Sequence, residues 1–167
     1  ECSARLAASY DNVKYASLQR AIDAAKNSGG TVTLEQEVEE HVAVADGEVT
    51  IDLNDQAWGK NLSDETNDYV PLTVTGGRVT LKNGRLHQKG ASSEARMGVL
   101  INGGSLIVAG DVSVRGGNDG NLKHSIDLQS GSLTLSEGTA LLTGLKVPAD
   151  KKLADYLPAC TAFVKCT

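Results

Sequence analysis

Aromatic side chains are scarce in this chain: 167 residues hold one Phe, one Trp and four Tyr. That excludes a conventional core of packed rings and leaves burial to aliphatic side chains. Basic runs are missing as well. Sixteen Lys+Arg stand against 21 Asp+Glu, for a net charge of −5. Nucleic acid is therefore not an expected partner, because affinity for phosphate backbones rests on clustered Lys and Arg. No stretch approaches the roughly 20 apolar residues needed to cross a bilayer, so membrane insertion is not expected. No charged-then-apolar leader is present, and Glu1 is expected to open a mature chain or an excised segment. The length suits a single domain.

Glycine is abundant, at 18 residues, and its placement is periodic. Residues 42–51, 72–81, 99–108 and 126–135 share one layout around Gly47, Gly77, Gly104 and Gly131, anchors spaced 30, 27 and 27 residues apart. Five residues before each anchor stand Val42, Leu72, Val99 and Ile126, and three before stand Val44, Val74, Ile101 and Leu128. Two after come Val49, Val79, Leu106 and Leu133; four after come Ile51, Leu81, Val108 and Leu135. The positions between are mostly polar, the alternation of strands with one face in a core. Strands separated by Gly turns at such a period read as coils of a solenoid. A third, looser strand follows in each coil, at residues 84–87, 111–114 and 139–142. The alternative is an antiparallel sandwich with the Gly turns as hairpin loops. The fixed period of the apolar columns favours a short right-handed parallel β-helix of about five coils.

The ends fit that architecture. Leu18, Ala21, Ile22 and Ala25 recur at helical spacing, with Ser17 as N-cap and Gly29 or Gly30 as the stop. The expected division of one domain, 1–167, is a helical cap over 11–30, coils over 31–144 and a C-terminal cap over 145–167. Val32 and Leu34, following Gly30, are expected to match the two post-glycine core positions. A short helix is expected around Leu153–Leu157, then a strand-like stretch at 161–165.

Several phrases also resemble a known type of module. The run YASLQRAIDAAKNSGGTVTL at 15–34, VTIDLN at 49–54, VTLKNG at 79–84 and LADYLP at 153–158 are similar to β-helical, pectate-lyase-like repeat modules of large bacterial cell-surface proteins. The resemblance implies a stalk or adhesive role in a secreted or wall-attached protein, often Gram-positive. It departs at the longer segment 54–70 and at Cys160 and Cys166. In a secreted context, the spacing of that pair makes Cys160–Cys166 the expected disulfide. Cys2 would then be free or pair with another chain, because a stack of about five rungs puts it roughly 20–25 Å from the far end.

Candidate chemistry is sparse. The outward position five residues after each anchor carries Glu35, Asp52 and Lys82 in three successive coils. In register, two carboxylates beside a lysine could hold Ca²⁺ and supply a base, as a polysaccharide lyase would need. The competing reading is a solvated charge ladder in which Lys82 relieves Asp52. His41, His87 and His124 are scattered. Neighbouring strand positions point to opposite faces, so His124, Ser125 and Asp127 cannot form a relay alone. Asn118–Asn121 reads as a turn, and 35–40 as a solvated acidic face. Leu100 and Ile107 stand in outward columns, under a covering segment or in a contact patch.

Trp58 and Tyr69 flank the 54–70 segment with Asp64 and Glu65, a constellation suited to sugar rings or protein contacts. The competing reading has Trp58 closing the core where the strand leaves it. The expected function is non-enzymatic: a monomeric module presenting a rigid surface to a host protein or glycan. Its expected ligand residues are Trp58, Tyr69, Asp64 and Glu65. Neither a cofactor nor a metal is expected; zinc is disfavoured because no CxxC or paired His spacing accompanies the thiols. The alternatives are a carbohydrate-active enzyme using Glu35, Asp52 and Lys82, or a phage tail-fibre segment.

Overall fold

The computed structural model describes residues 5–59, 61–62, 70–87, 89–90, 97–116, 125–136, 140–142, 144–152 and 163–164. The fold is mostly β. In chain order the elements are β1 (Ala8–Tyr10), β2 (Val13–Tyr15), α1 (Leu18–Ala25), β3 (Thr31–Leu34), β4 (Val42–Val44), β5 (Glu48–Asp52), β6 (Ala57–Trp58) and β7 (Asn61–Leu62). There follow β8 (Leu72–Val74), β9 (Arg78–His87), β10 (Lys89–Gly90), β11 (Val99–Arg115), β12 (Ile126–Leu135), β13 (Ala140–Leu142), β14 (Leu145–Lys146) and β15 (Phe163–Val164). Hydrogen bonds join thirteen strands into one mixed sheet, with β7 and β10 as a separate parallel pair.

The parallel ladders fall in three rows. In the first, β4 pairs β8, β8 pairs the start of β11, and β11 pairs β12, so that Val44, Val74, Ile101 and Leu128 are successive partners. In the second, β5, the start of β9, the middle of β11 and the end of β12 pair in turn, aligning Val49, Val79, Leu106 and Leu133. The third row runs from β6 through Leu86 and Val114 to Leu142. All sixteen aliphatic positions around the four anchor glycines are buried. Apolar side chains on alternate residues thus meet only other apolar side chains one strand above and below.

β11 spans 17 residues, yet it carries Gly103, Gly104 and Gly110 at positive φ. Those residues bend the strand between rows, which a straight strand of L-residues cannot do. Close stacking reinforces the requirement: a Cβ on Gly104 would stand 2.6 Å from the Gly76 carbonyl carbon.

The N-terminal region differs from its expectation. Residues 8–15 form an antiparallel hairpin, β1–β2, turning through Asp11 and Asn12, both at positive φ. β1 also pairs antiparallel with β3, Ala8 opposite Leu34. The helix itself follows the pattern: Ser17 caps α1, and Leu18, Ala21, Ile22 and Ala25 are its buried face. Only eight residues long, α1 falls short of the 12–15 or so that an isolated helix needs. It holds through packing and through Glu40, whose carboxylate accepts Ser17 Oγ at 2.6 Å, Leu18 N at 2.8 Å and Gln19 N at 3.1 Å. The acidic tract at 35–40 is therefore not a free solvated face; Val38 within it is buried as well. A strand stands at 163–164, pairing parallel with β13, while the expected helix at Leu153–Leu157 lies outside the described residues. No helix among the described residues is long and apolar enough to cross a membrane.

Candidate functional site

The acidic row breaks at its first step. Val32 pairs Ile51 and Thr33 pairs Asp52, so β3 sits two residues out of the expected register. Carried on, Glu35 faces Asn54, whose side chain donates to the Leu34 carbonyl at 3.1 Å. The cause is backbone. Lys26 O and Gly30 O, at the end of α1, accept from Glu48 N and Thr50 N at 2.7 and 3.0 Å and take the ladder positions ahead of β3. Glu35 instead meets Lys14 at 3.5 Å. A hydrogen bond from Ser9, then the Lys14 charge, holds its carboxyl below the ordinary glutamate range.

Asp52 and Lys82 do pair across the ladder, Nζ to Oδ2 at 3.2 Å. Asp52 also accepts from Asn54 N at 3.0 Å and from Asn83 Nδ2 at 3.2 and 3.3 Å. Asn54 N closes the turn after β5 on itself, while Lys82 and Asn83 fasten that turn to β9. Asn54, Asp55 and Asn83 are all at positive φ there, and the carboxylate offsets the strain of these short turns. Two carboxylates on one lysine, the arrangement a lyase would use, do not assemble.

Trp58 is fully buried, and its indole Nε1 donates to Glu40 O at 2.8 Å. It pairs with Leu86 in β9 and forms a bridge with Val38, filling the third apolar row. The expectation of an exposed aromatic platform is corrected at this residue: the indole closes the core beside the helix clamp. Tyr69, Asp64, Glu65, Cys2, Cys160, Cys166 and His124 lie outside the described residues. His41 bonds the Val70 carbonyl, and His87 Nε2 lies 3.2 Å from Ser113 Oγ, each in its own place on the ladders. Leu100 and Ile107 are half-buried.

Asp127, which stands between the core positions Ile126 and Leu128, is itself only 3 % exposed. Its Oδ2 accepts Lys146 Nζ at 3.1 Å and Gln129 Nε2 at 3.3 Å, while Oδ1 is enclosed with no hydrogen-bond partner among the described residues. Among the described residues no group of three His, Cys, Asp or Glu could hold a metal ion.

A polar groove of about 660 Å³ runs along the turns before the second row. Gly29, Gly47 and Gly77 lie in it without side chains; Lys26, Asn27 and Ser28 border its helix end, and Glu48, Arg78 and Ser105 follow along the strand row. The last three are register partners in adjacent strands, so polar groups repeat about every 4.8 Å. Lys26 is held by Asp46 at 2.7 Å and Asp23 at 3.6 Å. The Asp46 hydrogen bond in particular raises its pKa above the ordinary lysine value. Glu48 and Arg78 face each other in register without forming an ion pair, and both are exposed. The sequence signal for this groove was the polar residue directly after every anchor: Glu48, Arg78, Ser105 and Ser132.

No family model matches the chain, and neither a curated protein nor a solved structure does. Its functional reading therefore rests on its own residues.

Proposed function

We propose that this chain is a short right-handed parallel β-helix serving as a non-enzymatic module of a secreted or wall-attached bacterial surface protein. It presents a stiff surface for adhesion to a host protein or glycan. One observation supports the reading above the others. Sixteen aliphatic side chains, all buried, lie along parallel strands whose partners are 27 or 30 residues apart. Stacked ladders over a continuous apolar column resist bending, and each coil offers its turns and outward side chains to a ligand. Against the lyase alternative, Glu35 stands apart at Lys14 and Asp52 is committed to Lys82 and two turns.

The test is a panel of host serum proteins and a glycan array, run beside an absorbance assay for unsaturated product with acidic polysaccharide and Ca²⁺. Saturable binding without turnover is expected. Steady product formation, abolished in Lys82→Ala, would overturn the proposal.

A further inference from the structure

We infer that the groove between the end of α1 and the second strand row binds an uncharged, linear oligosaccharide. The site deepens the adhesive reading and rests on it. Geometry carries the argument. The groove holds about 660 Å³, within the range of small-ligand sites, and its lining follows successive ladder steps from the end of α1 through Glu48 and Arg78 to Ser105. Backbone and glycine make its floor: a Cβ on Gly47 would stand 2.6 Å from Lys26 O, and one on Gly77 2.6 Å from the Asp46 carbonyl carbon. Close backbone approach thus keeps side chains out at Gly47 and Gly77.

One wall repeats a polar group on each strand, Glu48, then Arg78, then Ser105. Their spacing of about 4.8 Å is comparable to the length of one pyranose unit. A chain laid along the stack would therefore meet one hydrogen-bonding side chain per sugar. Glu48 accepts from hydroxyls, Arg78 donates a fork to a vicinal pair, and Ser105 does either. Among the described residues neither the Glu48 carboxylate nor the Arg78 guanidinium has an ion-pair partner, so neither must be released before binding.

The charge balance selects the class. Lys26 is occupied by Asp46 and Asp23, which leaves one carboxylate and one guanidinium on the wall. An acidic polymer would meet Glu48 on a chain of net charge −5, whereas neutral hydroxyls satisfy both groups. At the helix end, Ser28 Oγ is held 2.7 Å from the Tyr10 hydroxyl, which fixes one polar group at the border of the groove.

The test is isothermal titration of the whole chain with cellohexaose, chitohexaose and hexagalacturonate. One of the two neutral hexamers is expected to bind with Kd below about 1 mM, and hexagalacturonate more weakly. Arg78→Ala and Glu48→Ala should each weaken the neutral hexamer about tenfold or more. Ser105→Tyr should block it by filling the groove. All three positions are at the surface, and unchanged far-UV spectra and urea midpoints verify that each variant folds. Three results would overturn the inference: no saturable heat from either neutral hexamer, tighter binding of the uronate, or affinity unchanged in the groove variants. Binding on the glycan array that survives Arg78→Ala and Glu48→Ala removes the groove while leaving the adhesive reading in place. An array and protein panel with no hits removes the adhesive reading itself.

Discussion

Two glycines with nearly the same backbone conformation should answer the same substitution differently. Gly29 has φ +68° and open space beside it, the nearest atom to an added Cβ being Glu48 Cγ at 3.9 Å. Gly29→Ala should therefore cost only the left-handed penalty, about 1–2 kcal/mol. Gly77 has φ +66°, but its Cβ would meet the backbone of Asp46 and Gly47 beside the neighbouring strand. There the strands themselves must part, and Gly77→Ala should cost at least about 3 kcal/mol. Urea unfolding of both variants checks the difference; equal losses would mean that the close backbone approach plays no part at Gly77. Glu35 carries a pH signature at the same scale. Its folded pKa is lowered by Ser9 and Lys14, so its contribution is present above the unfolded pKa and fades as pH falls through the folded value. Wild type should be more stable than Glu35→Gln near pH 6. The gap between their urea midpoints should narrow as the pH falls from the unfolded glutamate value through the lowered folded one.

At the scale of elements, α1 depends on one distant carboxylate. Glu40 takes three donors from the first turn of the helix, and the Gln19 amide exchanges two hydrogen bonds with Ala43 in β4. The helix is thus tied to the strand rows at its N-terminus while Leu18, Ala21, Ile22 and Ala25 cover the apolar columns. Glu40→Ala should cost about 2–3 kcal/mol, because two backbone N–H groups lose their acceptor. Ser17→Ala should cost about 1 kcal/mol, the usual value for a lost cap. Amide exchange at Leu18 and Gln19 should speed up before that of the strands. This clamp was not legible in the sequence, where Glu40 reads as one of several acids on a solvated tract. The helix was legible, since its apolar spacing and Ser17 both act locally. The β1–β2 hairpin was not: its turn is Asp11–Asn12 without glycine, and Val13 and Lys14 are exposed, so no alternation marks the strand. Register in β3 was hidden for a similar reason, because carbonyls at the helix end set it and carbonyls carry no residue identity. Trp58 turned on spacing. It lies seven residues after Ile51, whereas Leu86 lies five after Leu81, and that two-residue difference hid its place in the third apolar row.

Over the whole molecule, the apolar columns are built from strands that pair in turn. Each strand in a row touches the one before and the one after, so a cavity should be felt by its neighbours and little further. Leu81 is fully buried between Ile51 below and Val108 above. Leu81→Ala should cost about 2–5 kcal/mol and Ile51→Val about 0.5–1.5 kcal/mol. Combined, these two register partners should depart from additivity by 0.5 kcal/mol or more, roughly the coupling expected for groups in contact. Leu135 lies in the same column three steps from Ile51, roughly 14 Å at the strand spacing. Ile51→Val with Leu135→Ala should therefore be additive to within about 0.5 kcal/mol. Urea midpoints and slopes of the singles and doubles supply both cycles. Coupling of similar size in the near and far pairs would mean that the apolar side chains pack as one undivided core and not coil upon coil, and the stiffness assigned to the module would lose its cause.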